Sequence, residues 1–173
     1  MTEREKYITD FLLKWEGGFG TDGMDGGCTM KGITLTTYRA FFGKSKNCND
    51  LYHISDEEWF YIFRKGVYDR VKGDKIVNDS ICLLVVDFAY NSGKGTAIRE
   101  VQKCLGCTPD GIIGPITLGK LNEENSYEVF CKIKSWREGF YRNLATKKPK
   151  KYRKYLKGWL NRLNDIKYKG FDE

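Results

Sequence analysis

The sequence predicts a mainly α-helical fold, and three observations carry that prediction. Apolar residues recur at helical spacing in one segment after another. The strict two-residue alternation of a half-buried strand is nowhere sustained, and only 3 Pro interrupt 173 residues. Ile8, Phe11, Leu12 and Trp15 stand at i, i+3, i+4 and i+7, which puts an apolar stripe on a first helix ending near residues 14–16. Gly17-Gly18 stop it. Residues 19–32 are Gly-rich and polar, so they read as a loop or small β-hairpin. Ser55-Asp56-Glu57-Glu58 is a capping box that opens a helix through Trp59, Ile62 and Phe63. Residues 81–90 are apolar nearly all round, the pattern of a buried central helix, and Asn91-Ser92-Gly93 ends it. Ile98, Val101 and Leu105 mark another helical face. Pro115 suits the first position of a short helix after the turn at Pro109-Asp110-Gly111. Val129, Phe130, Ile133, Phe140, Tyr141 and Leu144 define a long helix, and residues 155–166 a last one.

The length allows one compact domain, or one with a small appendage. A hydrophobic content of 40% with 14% aromatic residues argues for a packed core and against disorder. A soft boundary near residues 94–95 divides residues 1–94 from residues 95–173. Apolar faces on both sides of it are expected to pack into one integrated unit. No apolar run approaches the roughly 20 residues of a bilayer span. The longest, 81–90, is broken by Asp87. The start MTEREKYITDF alternates charges and has no apolar signal-peptide core, so synthesis in the cytoplasm is expected.

In that setting the six cysteines read as reduced thiols. Cys104 and Cys107 have CxxC spacing, but zinc needs a second ligand pair, and the single histidine, His53, is remote in sequence. We read these cysteines as structural and His53 as a loop or cap residue. No metal and no cofactor are expected. Charge is uneven: residues 132–173 hold 14 Lys and Arg against 4 Asp and Glu. That segment is either a solvated helical face or a surface for an anionic partner.

The least ordinary stretch is Trp15-Glu16-Gly17-Gly18-Phe19, followed by Asp22, Asp25, Gly26-Gly27, Thr29 and Gly32-Ile33-Thr34. A carboxyl at a helix C-terminus beside an aromatic ring is in surroundings that disfavour charge. Held protonated, such a group can donate to a glycosidic oxygen. The plainer alternative is a surface glutamate beside a Gly-Gly cap. Asp87 and Asn91, at i and i+4, share one face of the central helix. They either border a cleft and bond an acetamido group, or serve the fold, with Asp87 paired to an arginine or to loop amides. Trp15, Tyr38 and Tyr90 are candidates for stacking on sugar rings or for the core.

Taken in order, Glu16-Gly17-Gly18, Asp22, Asp25, Gly26-Gly27-Cys28-Thr29 and Lys31-Gly32-Ile33-Thr34 resemble the glutamate-containing signature of glycoside hydrolase family 108. The resemblance continues through Val86-Asp87-Phe88-Ala89-Tyr90-Asn91-Ser92-Gly93. Val101-Gln102, Asp110-Gly111-Ile112-Ile113-Gly114-Pro115 with Thr117, and Gly158-Trp159-Leu160-Asn161-Arg162 are similar to the family's peptidoglycan-binding half and closing helix. The family comprises N-acetylmuramidases of phage and bacterial origin with a lysozyme-like fold, some once described as secretion activators. The sequence departs from the family pattern where Asp22 is followed by Gly23 rather than Pro.

The resemblance implies hydrolysis of the β-1,4 bond between N-acetylmuramic acid and N-acetylglucosamine, with Glu16 as general acid. It implies Asp25 as second catalytic group, or otherwise a turn residue, with Thr29 positioning a water. Asp22, Gly27, Thr34, Tyr38, Asp87 and Asn91 would line the substrate site. The expected partner is peptidoglycan, with anionic wall polymers drawn to the basic segment. No nucleic-acid partner is expected, since no motif for one accompanies the charge, and the protein should be a monomer. It would act at the bacterial wall after release or export. The competing class is a non-catalytic wall-binding or secretion-accessory module of the same fold.

Overall fold

A computed structural model of the chain describes residues 1–21 and 27–170. Among the described residues there are nine α-helices and one two-stranded antiparallel sheet, so the fold is mainly α and lysozyme-like. The chain divides into two compact units, Met1–Asp69 and Arg70–Glu173.

The first unit opens with α1 (Glu3–Trp15). Its N-terminus carries a reciprocal box: the Thr2 hydroxyl accepts from Glu5 N–H, and the Glu5 carboxylate accepts from Thr2 N–H at 2.7 Å. Glu5 is nearly buried and also pairs with Arg64. Ile8 and Leu12 carry the predicted stripe into the core, with no exposed surface. Next come β1 (Thr29–Met30) and β2 (Ile33–Thr34), a small hairpin whose second strand lies beyond the stretch 19–32 read as a loop or hairpin. Met30 pairs with Ile33, which leaves Lys31-Gly32 as a two-residue turn. Both turn residues have positive φ, 48° and 77°, as the hairpin turn matched to strand twist requires.

Helices α2 (Leu35–Phe42) and α3 (Cys48–Tyr52) follow. The predicted box at Ser55 then opens α4 (Asp56–Phe63), with the hydroxyl 3.1 Å from Glu58 N–H. The last turn of α4 widens into a π-helical segment, Arg64–Tyr68. His53 caps α3 and is exposed.

One expectation is overturned. Cys28 and Cys48 form a disulfide. Compartment reasoning ranks thiol against disulfide for a whole chain, but it carries nothing about proximity. Here β1 and the start of α3 meet across 20 residues, and the bridge closes them together.

The second unit is built on α5 (Asp79–Ser92), the buried helix foreseen at 81–90. Asn78 caps its start, its side-chain oxygen accepting from Ser80 and Ile81 N–H. Gly93 ends it at φ +83°, a value that glycine adopts without cost. Around α5 lie α6 (Lys94–Cys104), α7 (Pro115–Leu121, with Pro at its first position), α8 (Ser126–Lys147) and α9 (Pro149–Asp165). Cys82 and Cys104 are buried free thiols; Cys107 is half-buried and Cys131 exposed. Burial pushes the Cys104 thiol up to about 11, partly offset by the charge of Lys132. No helix of the described residues is long and apolar enough to cross a membrane.

Candidate active site

Glu16 is the C-cap of α1: its N–H still donates to Leu12 at 3.0 Å, but its own backbone has turned to the extended region. The side chain is half-exposed, as is Trp15 before it. Among the described residues, no atom would lie within 4 Å of a Cβ at Gly17 or Gly18. A carboxyl at that point is accessible to a large substrate.

The chain leaving Glu16 is bound back within four residues. Gly20 and Thr29 exchange two backbone hydrogen bonds, at 3.0 and 2.8 Å, as an isolated bridge. Thr29 pairs in turn with Thr34 across the hairpin. The segment after Glu16 is therefore the outermost member of a short three-part ladder. The Thr29 hydroxyl lies on the Gly20 side, where a Cβ at position 20 would meet it at 3.3 Å. Gly27 is half-exposed, and among the described residues nothing lies within 4 Å of where its Cβ would stand. Asp22 and Asp25 lie outside the described residues.

Thr34 caps α2 and Tyr38 lies on it, and the polar atoms of both already have partners. The Thr34 oxygen accepts from Thr37 N–H at 3.1 Å, and its hydroxyl donates to the Thr37 hydroxyl at 3.0 Å. Tyr38 is buried, and its hydroxyl meets both Glu58 oxygens at 3.1 Å. Burial, then the Glu58 hydrogen bond, pushes the phenol up to about 12. Lys46 lies over the Tyr38 ring at 5.6 Å.

Asp87 and Asn91 belong to the second unit. Asp87 has no exposed surface, and its oxygens take Arg137 at 2.5 Å and Arg162 at 2.8 Å. Asn91 donates to the Tyr141 hydroxyl at 2.9 Å. Of the two readings open for Asp87 from sequence, this is the geometry of an arginine-paired fold element.

Sequence reasoning missed the supports of the hairpin. Lys31 bonds Asp56 at 2.9 Å, and its carbonyl accepts from the Trp59 indole at 3.2 Å. Those two contacts from α4 hold a non-glycine residue at positive φ, and the Cys28–Cys48 bridge anchors the strand beside it. The available signal was the Lys31-Gly32 pair itself, flanked by short β-prone residues.

Two family models match the chain in order. "Glycosyl hydrolase 108" covers residues 9–93, and "Predicted Peptidoglycan domain" covers residues 96–164. The chain carries a glycosyl hydrolase 108 domain followed by a peptidoglycan domain. Every candidate residue named above falls inside the stretch matched to that family. Among solved structures, Brucella abortus SagA superposes with a TM-score of 0.81 at 24% identity, over 94% of this chain and 90% of that one. That likeness shows a shared fold. A comparison with curated proteins gives no match. The two family matches support a peptidoglycan-related glycosidase or an accessory module on the same scaffold.

Proposed function

We propose that the protein is an N-acetylmuramidase that hydrolyses the β-1,4 bond between N-acetylmuramic acid and N-acetylglucosamine, with Glu16 as general acid. The observation that carries the reading is the placement of Glu16: an accessible carboxyl at a helix end, next to two glycines where no atom of the described residues lies within 4 Å of a Cβ, tied four residues on to Thr29. A glycan strand needs such an open approach, because a side chain at either glycine would stand where the polymer lies. Protonation of the leaving oxygen by Glu16 relieves charge there as positive charge builds on the sugar ring. A second group must activate water or face that ring, and Asp25, nine residues after Glu16, is the candidate. Thr29, fixed by the ladder, would orient the water. The wall lies beyond the membrane, so the enzyme acts there after release or export.

The test is Glu16→Gln, which keeps size and hydrogen-bonding reach but has no proton to deliver. Clearing of purified walls should fall by about 10²–10⁴-fold with the circular dichroism unchanged. Products of the parent should carry reducing ends on muramic acid. Walls cleared at the parent rate by the Gln protein would remove Glu16 from the chemistry. A parent that binds walls but releases no fragments would be an accessory module instead.

A further inference from the structure

The Cys28–Cys48 bridge lies one residue from Thr29, which pairs with Gly20 on one side and Thr34 on the other. The ladder it adjoins is short: two residue pairs in the hairpin and an isolated bridge to Gly20. Two-stranded ribbons are marginal in water without further support. Here the support comes at two ends. At the turn end Ile33 is buried, and the Trp59 indole donates to the Lys31 carbonyl at 3.2 Å. Lys31 also pairs with Asp56, but the Asp56 side chain is 89% exposed, so that pair contributes little. At the Thr29 end Cys28 is buried, and its carbonyl accepts from Leu35 N–H at 3.0 Å. Its sulfur is bonded to Cys48, the first residue of α3, and Leu51, with no exposed surface, seats α3 in the core. The bridge thus carries the position of a core-anchored helix to the strand that holds Thr29. Helix α1 is seated independently of it, by Ile8, Leu12 and the Glu5–Arg64 pair.

The two sulfurs differ in access. Cys28 is 3% exposed, whereas Cys48 is half-buried. A thiolate from solution therefore meets the Cys48 sulfur first. The S–S bond breaks, the Cys28 thiolate leaves and takes a proton, and a second external thiol releases Cys48 from the mixed disulfide. In sum two external thiols become one disulfide, and the bridge becomes two protein thiols. The reverse uses an external disulfide, small-molecule or protein-borne, as oxidant. A thiol-rich compartment drives the exchange one way and an oxidising one the other.

We propose that the Cys28–Cys48 bond is a redox-set positioning element for the site at Glu16. Formed, it locks Thr29 in register with the chain that follows Glu16. Reduced, it lets the ladder part while the core of the unit stays folded. Resting on the muramidase reading above, this confines wall cleavage to oxidising surroundings.

The experiment compares the full chain oxidised, reduced with dithiothreitol, and reoxidised with oxidised glutathione. Amide exchange followed by NMR reads the ladder without any turnover. Thr29 N–H donates to Gly20 at 2.8 Å and Gly20 N–H to Thr29 at 3.0 Å, so both amides report it directly. On reduction they should exchange about thirtyfold faster or more, while the amides of Ile8 and Leu12 stay protected. Wall clearing should fall about tenfold or more through kcat, with wall binding unchanged, as a displaced positioning group requires. Reoxidation should restore both. Cys28→Ser with Cys48→Ser should behave as the reduced protein under every condition. Unchanged exchange at Gly20 and Thr29, or equal clearing in the two redox states, overturns the proposal. So does parallel loss of protection in α1, which would make the bridge a bolt for the whole unit. A redox response that persists in the double variant overturns it too, since it belongs to the four other cysteines. Clearing in neither state would instead fail the muramidase reading, and the amide comparison then decides the switch alone.

Discussion

Arg137 and Asp87, separated by 50 residues, form an ion pair with no exposed surface on either side chain. Arg162 completes the set from α9, 2.8 Å from the other Asp87 oxygen. The Asp87 carboxylate thus holds two guanidinium groups inside the second unit. The Arg137 guanidinium also lies against π surface, 4.9 Å from the Phe88 ring and 5.4 Å from that of Tyr141. Asp87→Ala would leave the fully buried Arg137 guanidinium without its carboxylate. We expect a loss of about 3–5 kcal/mol in urea unfolding. Replacing Asp87, Arg137 and Arg162 together with apolar residues of similar volume should recover much of it. A single Asp87→Ala within about 1 kcal/mol of the parent, smaller than a lost buried partner allows, would show that the set is hydrated in solution.

This triad also shows what the sequence could and could not disclose. The helix α5 was legible because its pattern is local, ten near-continuous apolar residues and an Asn-Ser-Gly stop. So were the Ser55 box, the α1 stripe and Pro115. The need of Asp87 for a partner was legible as well, but the identity of that partner was not, because Arg137 and Arg162 lie in other helices. Helices α2 and α3 escaped notice since eight and five residues are too few to establish a period. The place of Glu16 at the end of the first helix was legible from the Gly17-Gly18 stop. The ladder that ties its neighbour Gly20 to Thr29 depends on a turn at Lys31-Gly32 and a distant disulfide, and neither leaves a periodic trace.

The disulfide should matter to the first unit's stability. In the chain-entropy account, closing a loop of this size restricts the unfolded chain by about 3 kcal/mol. Cys28→Ser with Cys48→Ser should therefore lower stability by about 2–4 kcal/mol in oxidised samples. The same change should make no difference when the parent is first reduced. Equal melting of parent and double variant under oxidising conditions would mean that the bridge does not form.

Thiol chemistry should sort by position. Cys131 is exposed and should react with maleimide within the first minutes. Cys104, with its thiol pushed up to about 11 and buried, should stay unmodified at neutral pH until the protein unfolds. Mass mapping of the labelled peptides reads the order directly. Early labelling of Cys104 would reveal opening of the α6 end.

Asp110 gives a pH dependence with a definite sign. The Gln102 side-chain amide donates to it at 2.7 Å, Ile112 N–H donates at 2.8 Å, and together they hold its carboxyl below the usual range. A carboxylate depressed in the folded state adds stability that is complete above its unfolded value. That stability is lost as pH falls through the folded value. The turn before α7 should therefore loosen in acid, below the ordinary Asp range near 4. Carbon-detected NMR titration should place Asp110 below other exposed aspartates. Gln102→Leu should bring it back up. An Asp110 that titrates with the rest in the parent would show that the Gln102 contact is not kept in solution.

Wall binding should be salt-sensitive, and α9 should be responsible. This helix packs through its aromatic side, with Trp159 stacked 5.1 Å from Tyr141 and 5.9 Å from Tyr155. Lys147, Lys148, Lys150 and Lys151, at and just before its start, are exposed. Peptidoglycan carries lactyl and stem-peptide carboxylates, and walls often add anionic polymers, so under the proposed function these lysines would act at long range rather than through fitted contacts. Attraction of that kind is screened beyond about 8 Å at physiological ionic strength. Binding to purified walls should weaken steadily as salt rises from low to molar concentration. Changing the four lysines to Gln should remove most of that slope while leaving cleavage of a short soluble fragment at the parent rate, because all four belong to the second unit and Glu16 to the first. The helix should survive, since Gln and Lys have nearly equal helix propensity. A slope unchanged in the four-Gln protein would move the electrostatic contact elsewhere on the surface. Binding indifferent to salt in the parent would assign wall recognition to close sugar contacts alone.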